Sequence, residues 1–142
     1  METVAVTGVA GFIGSHISEK LLQNNFKVIG IDSFTPYYPK KIKKNNLKQC
    51  LKNKNFSFIN KDLIETNLLP LFQKSQHLFH LAAQPGVRSS WGTQFETYVK
   101  ENILVTQQIL EYARIAKSFK TIVMASSSSV YGEQEGKMNE EN

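Results

Sequence analysis

A chain of 142 residues with 41% hydrophobic content, 17 Lys+Arg and 12 Asp+Glu is the makeup of one ordinary α/β or α+β domain. The apolar content excludes a disordered chain, and the scattered Gly and Pro exclude collagen-like and repeat architectures. The single cysteine, Cys50, excludes a disulfide framework and a cysteine metal cluster.

The net charge of +5 is local. Residues 33–61 hold eight lysines and no acid, while the rest of the chain holds nine basic and twelve acidic residues. A nucleic-acid surface interleaves aromatics with its cations at a readable spacing. This segment does not, and a solvated face is the expected reading. The apolar stretches are four or five residues at most, against the ~20 of a membrane span. The N-terminus opens on a strand pattern and not on a signal-peptide profile. The expectation is a cytoplasmic protein with no nucleic-acid and no membrane partner.

Taken in order, Thr3–Thr7 predicts a buried strand, and Phe12–Gln23 a helix with Ile13, Ile17 and Leu21 on one face. Lys27–Ile31 is a second strand. Pro36 and Pro39 break the chain before a short, mostly solvated helix over Ile42–Leu51. Phe56–Ile59 is a third strand, and Thr66–Lys74 a short helix interrupted or opened by Pro70. His77–Ala82 is a fourth strand. Phe95–Lys117 is the longest helix, with Val99, Ile103, Thr106, Leu110 and Ala113 on one stripe. Thr121–Ala125 is a fifth strand, and Ser126–Asn142 is polar and acidic. Strands alternating with helices predict βαβ units and a parallel sheet covered on both faces. Right-handed crossovers then favour an α/β, Rossmann-type doubly wound sheet of order 3-2-1-4-5, ending soon after strand five and occupying residues 1–142 as one domain.

The strongest motif is TGVAGFIG, Thr7 to Gly14, at the junction of the first strand and first helix. Gly8 permits the sharp turn, Gly11 lets the backbone approach a pyrophosphate, and Gly14 lets the helix pack closely on the sheet. The helix N-terminus faces the anion. Asp32 ends the second strand 18 residues after Gly14, where a carboxylate accepts from a ribose 2′-hydroxyl and repels a 2′-phosphate. NAD is therefore expected over NADP.

TGVAGFIGSH, Asp32, Asp62-Leu63, HLAAQPGVRSS (80–90) and SSSSVYG (126–132) occur in that order. Together they resemble the N-terminal half of extended short-chain dehydrogenase/reductases of the nucleotide-sugar epimerase and dehydratase group. DSFTPYYPKKIK and AAQPGVRSS look most like UDP-glucuronate 4-epimerases. The resemblance implies that Gly8, Gly11, Phe12, Ile13 and Gly14 line the pyrophosphate of NAD and that Asp32 holds the adenosine ribose. It implies Asp62 and Leu63 beside the adenine, and Leu81, Ala82, Ala83 and Gln84 along the nicotinamide-side ribose. Asn102 matches a family asparagine near the cofactor, or is an exposed helix residue.

For the chemistry, the resemblance points to Ser127, which in relatives hydrogen-bonds the sugar hydroxyl being oxidised. Its serine neighbours leave that assignment open by one or two positions. Arg88 and Ser128 are candidate substrate contacts, Arg88 for an anionic sugar or diphosphate or else for a surface salt bridge. A nucleotide sugar is the implied substrate, and a homodimer is compatible with the family. The Tyr-x-x-x-Lys pair that completes such a site lies in relatives some two dozen residues after the serine, beyond residue 142. The one match within the chain, Tyr37 to Lys41, falls in the proline-containing loop at the adenosine end and is refused. Cofactor binding without turnover is the resulting expectation. The runner-up readings are a stand-alone, non-catalytic dinucleotide-binding module and a fragment of a 4,6-dehydratase. The three histidines form no ligand cluster, and no metal is expected.

Overall fold

Five short runs rich in Val, Ile and Phe pair in parallel register, as the alternation of strands and helices requires. In the computed structural model, which describes residues 1–133 and 135–140, they are β1 (Thr3–Thr7), β2 (Lys27–Ile31), β3 (Phe56–Ile59), β4 (His77–His80) and β5 (Thr121–Met124). The sheet order is β3-β2-β1-β4-β5. This is the doubly wound 3-2-1-4-5 arrangement that the alternating pattern predicts. β1 is central: Thr7 pairs with Ile31 of β2 on one side and His80 of β4 on the other. Strand order reverses at β1, which opens a crevice beyond the carboxyl ends of the strands.

The two faces carry separate cores. Val4, Val6, Val9 and Val28 pack with Leu22, Leu47 and Cys50 on the side of α1 (Phe12–Gln23) and α2 (Lys40–Asn46). Ala5, Ile31 and Leu78 pack with Leu68, Phe72, Val105 and Ile109 on the other. That second layer comprises α3 (Leu69–Phe72), opened by Pro70, and a long helical rod. The rod runs through α4 (Phe95–Tyr98), a π-helical stretch Val99–Leu104, and α5 (Val105–Ala116). Cys50 is a buried apolar contact, and burial raises its thiol to about 11.

Two helix faces differ from the sequence expectation. α1 buries Gly14, Ser15, Ser18 and Leu22, and leaves Ile13 59% exposed. Small side chains let the helix axis approach the sheet, so size and not hydropathy selects the buried face. The rod buries Tyr98, Val105 and Ile109, while Ile103 and Leu110 are 60% and 46% exposed. Two neighbouring apolar stripes run along this helix. The sheet takes the one that meets Phe72 and Leu78, and Thr106 and Ala113 fall at its margin.

β5 is an edge strand with no element on its outer side among the described residues, and Ile122, Val123 and Met124 are partly exposed. At its amino end Lys120 bonds Glu2, which also meets His77, and these two partners hold the Glu2 carboxyl down at about 2. Among the described residues no helix is long and apolar enough to cross a membrane.

Candidate functional site

The crevice predicted by the strand order is present. A cleft of about 250 Å³ is lined by Gly8, Gly11, Phe12, Asp32, Asp62, Leu63 and residues 81–84, with Lys43, Tyr38 and Glu101 on its walls. Its floor is the turn leaving β1. Gly8 adopts φ +69°, and a Cβ there would come within 2.7 Å of the Ala82 backbone nitrogen. A Cβ on Gly14 would lie 2.2 Å from the Gly8 carbonyl. Neither neighbour is a side chain that can swing away. The glycine spacing is therefore enforced by backbone touching backbone, and what it leaves open is a shallow cradle ahead of the first turn of α1. The cradle fits the pyrophosphate of a dinucleotide: small, lined by main chain, and set at a helix N-terminus.

Asp32 borders this cradle. Its Oδ2 accepts from the Ala10 N–H at 3.0 Å and its Oδ1 from the Phe34 N–H at 2.7 Å. The carboxylate thus locks the glycine loop to the turn after β2, and each oxygen keeps a further lone pair for a ribose hydroxyl. Asp62 stands across the cleft, one oxygen accepting from the Ile64 N–H and the other 3.5 Å from the Lys100 ammonium. Lys100 also reaches Glu101 at 3.8 Å. Burial, and then the nearby Asp62 charge, raises the Glu101 carboxyl above its ordinary range, and Lys100 opposes this.

A buried hydrogen-bond relay fixes the other rim. Leu81 and Ala82 donate their backbone N–H groups to the Thr7 hydroxyl oxygen at 3.2 and 3.3 Å. With both accepting positions engaged, Thr7 gives its own proton to Nδ1 of His80, 2.7 Å away. The ring proton of His80 then sits on Nε2, facing the Thr106 hydroxyl at 3.3 Å. Burial depresses the His80 pKa and so favours this neutral form.

Asn102 acts one step further out. Its Oδ1 accepts from the Gln84 N–H at 2.8 Å and its Nδ2 donates to the Gln84 carbonyl at 3.0 Å. The side chain imitates a strand partner and clamps the loop after β4. The π-helical stretch aims it there, a use that such irregular turns often serve.

Other sequence candidates lie elsewhere. Ile13 projects to solvent from α1, and Gly14 supports the cradle from behind. Ser127 follows β5, exposed, and caps a short 3-10 turn (Ser128–Tyr131) by accepting from the Ser129 N–H at 3.2 Å. Ser128 is exposed within that turn, and Arg88 is exposed in another short turn. Neither lines the cleft.

Lys43, like Tyr38 and Glu101, is a wall residue outside the sequence candidates, being counted there with a solvated lysine helix. It is only 5% exposed. Its spacing of four and seven residues from Leu47 and Cys50 was the available signal, since all three share the inward stripe.

Known proteins align with this geometry. A Bacillus subtilis protein described as an uncharacterized UDP-glucose epimerase, YtcB, is 49% identical over 138 residues, covering 96% of this chain and 43% of that protein. UDP-glucuronate 4-epimerase 1 of Arabidopsis thaliana is 38% identical over 133 residues, covering 92% and 30%. The crystal structure of UDP-glucuronic acid 4-epimerase from Bacillus cereus, in complex with UDP-glucuronic acid and NAD, superposes with a TM-score of 0.91 at 44% identity. That alignment covers 98% of this chain and 44% of the other. The chain thus spans less than half the length of these relatives. The family profile for GDP-mannose 4,6-dehydratase matches residues 5–142, and the chain belongs to that family, within the extended short-chain dehydrogenases and epimerases.

Proposed function

We propose that residues 1–142 are the NAD-binding portion of a nucleotide-sugar 4-epimerase acting on UDP-glucuronate or a related UDP-sugar. The observation that carries this reading is the backbone cradle at Gly8 and Gly14, opening onto one cleft with Asp32 and Asp62 on its walls. The relatives with UDP-glucuronate in their names support the substrate class. Bound NAD supplies a reversible hydride acceptor. The chain's own residues hold and orient it. Asp32 accepts from the adenosine ribose, Asp62 and Leu63 flank the adenine, and residues 81–84 form a flat shelf for the nicotinamide ribose, held by Thr7 and Asn102. Ile13 and Gly14 act from the helix side of the pyrophosphate site, and Asn102 acts through Gln84.

Ser127 lies at the carboxyl end of β5, where its hydroxyl can bond the sugar hydroxyl that loses a proton. Ser128, the next residue, and Arg88 serve as further substrate contacts. The base that takes the proton is not supplied by these residues: Tyr37 lines the cleft on the α2 side, beside Tyr38 and Lys43. Alone, the chain therefore binds cofactor and does not turn substrate over.

Calorimetry with NAD and a coupled assay with UDP-glucuronate test both halves of the reading. Saturable NAD binding without UDP-galacturonate formation is the expected result. Turnover by the 142-residue chain overturns the second half, and absence of any NAD binding overturns the first. A 4,6-dehydratase is the second reading, favoured by the name of the matching family profile. It predicts that the longer protein releases a 4-keto-6-deoxy sugar in place of the 4-epimer.

A further inference from the structure

The π-helical stretch Val99–Leu104 puts three consecutive side chains to use, and it does so on two banks of the cleft. The Lys100 ammonium lies 3.5 Å from Oδ2 of Asp62, in the turn after β3. Asn102 holds both backbone groups of Gln84, in the loop after β4. Residues two apart on a helix diverge, so a single turn reaches both sides at once. Glu101, between them, lines the cleft itself.

Each bank is firm on its own side. Asp62 accepts from the Ile64 N–H at 3.1 Å, the Thr66 hydroxyl donates to the Asp62 carbonyl, and Leu63 is buried in the core that holds Val105. On the other bank Leu81 and Ala82 hang from Thr7, and the Tyr98 hydroxyl donates to the Pro85 carbonyl at 2.9 Å. Among the described residues no hydrogen bond or ion pair joins the Asp62 turn directly to the Gln84 loop. The π turn is what connects them. A part-exposed ion pair adds little to stability, and the Lys100 side chain is 42% exposed. Its contribution is position and charge: Asp32, Asp62 and Glu101 all line this cleft, and Lys100 stands within 4 Å of the last two.

We propose that the π turn is a clasp coupling the two ends of the dinucleotide site, with Lys100 as a positioning residue that acts through Asp62. A ligand that orders one bank orders the other through Lys100 and Asn102. Binding at the adenosine end therefore feels a change made at the Gln84 loop. The inference rests on the dinucleotide reading of the cleft and deepens it.

The test is a double-mutant cycle on the 142-residue chain, read by calorimetry with NAD and with ADP, which carries the adenosine and diphosphate but no nicotinamide ribose. Lys100→Met should weaken both ligands about threefold to fivefold, with Lys100→Arg restoring most of the loss. Asn102→Ala should weaken ADP about threefold, although ADP does not extend to the nicotinamide-ribose shelf, and that loss should vanish in the Lys100→Met background. Thermal unfolding of Lys100→Met should match wild type. Asn102→Asp, which keeps the acceptor and removes the donor, serves if Asn102→Ala does not fold. If Asn102→Ala leaves ADP binding untouched, or weakens it equally with and without Lys100, the banks are independent and the clasp is overturned while the cofactor reading stands. An affinity loss in Lys100→Met that tracks a fall in unfolding temperature makes Lys100 structural and overturns it too. If wild type binds neither NAD nor ADP, both readings fall.

Discussion

The carboxyl ends of β1 and β5 open on the same side of one sheet and are built in opposite ways. Beyond β1 every turn is tied to another element: Gly8 N–H to the Ile31 carbonyl at 2.9 Å, Ala10 to Asp32, Leu81 and Ala82 to Thr7, and Gln84 to Asn102. Beyond β5, the Ala125 N–H reaches the His80 carbonyl of the neighbouring strand, and the serines that follow bond one another. Binding sites that hold a ligand through main chain need their geometry fixed beforehand. The difference teaches that the cleft beyond β1 is preorganised by ties to other elements, whereas the serine turn beyond β5 is held by bonds among its own residues.

The comparison is broken most sharply by two glycines of equal φ. Gly8 and Gly132 both sit at +69°, but a Cβ on Gly8 meets the backbone of Ala82 while one on Gly132 meets nothing within 4 Å. Gly8→Ala is expected to cost about 3–5 kcal/mol, combining backbone strain with overpacking, and Gly132→Ala about 1 kcal/mol. Urea denaturation of both measures the gap. Equal losses would mean that backbone strain, and not close approach, decides the glycine loop.

Next in size is the relay beneath Leu81 and Ala82. His80→Ala leaves the Thr7 hydroxyl without its acceptor and opens a void, for a loss of about 2–3 kcal/mol. The relay also predicts a pH dependence with a definite sign. Burial lowers the His80 pKa in the folded state below the ordinary value near 6.5, so below that pH the unfolded chain binds the extra proton. This stability is present above the unfolded pKa and is lost as pH falls through 6.5 toward the folded value. His80→Gln should flatten that part of the profile. An unchanged slope would place the titration on another group.

Asn102→Ala follows, at about 1–2 kcal/mol for two lost hydrogen bonds, with NAD affinity weakened about tenfold as the Gln84 loop loosens. If affinity fell without any change in stability, Asn102 would be touching the ligand and not the loop.

The glycine cradle was legible because it is local: a strand, a turn and a helix N-terminus lie within a dozen residues, while the sheet order followed from the alternation of strands and helices under right-handed crossovers. Asp32 was legible for the same reason, through its fixed distance from Gly14. What escaped was set by contacts far apart in sequence. The spacing of His77 and His80 places them on opposite faces of β4, but nothing local shows that His80 joins Thr7 to Thr106 across 73 and 26 residues. The face of α1 was misjudged because Ile13 is apolar and Ser15 is not, whereas packing against β1 rewarded the smaller side chain. Lys43 was misjudged through composition, as one lysine among eight. Its position on the stripe of Leu47 and Cys50 carried the information.

The smallest expected effect sharpens the comparison from the β5 side. Ile122 and Met124 share a sheet face with Leu78 and His80, while Val123 lies beside Phe79 on the other, and all three stay partly exposed. An edge strand with unpaired backbone groups and apolar side chains on both faces is a surface for association. The chain should therefore self-associate with rising concentration in sedimentation experiments. Val123→Lys should shift it toward monomer while changing stability by only about 0.5 kcal/mol, because a half-exposed edge position contributes little to the core. Lys is also the side chain that protects sheet edges. A monomeric wild type would show that this edge is already sealed, and a large loss of stability would show that Val123 belongs to the core after all. Either result would erase the contrast with β1, whose neighbours on both sides make every one of its interior positions inaccessible.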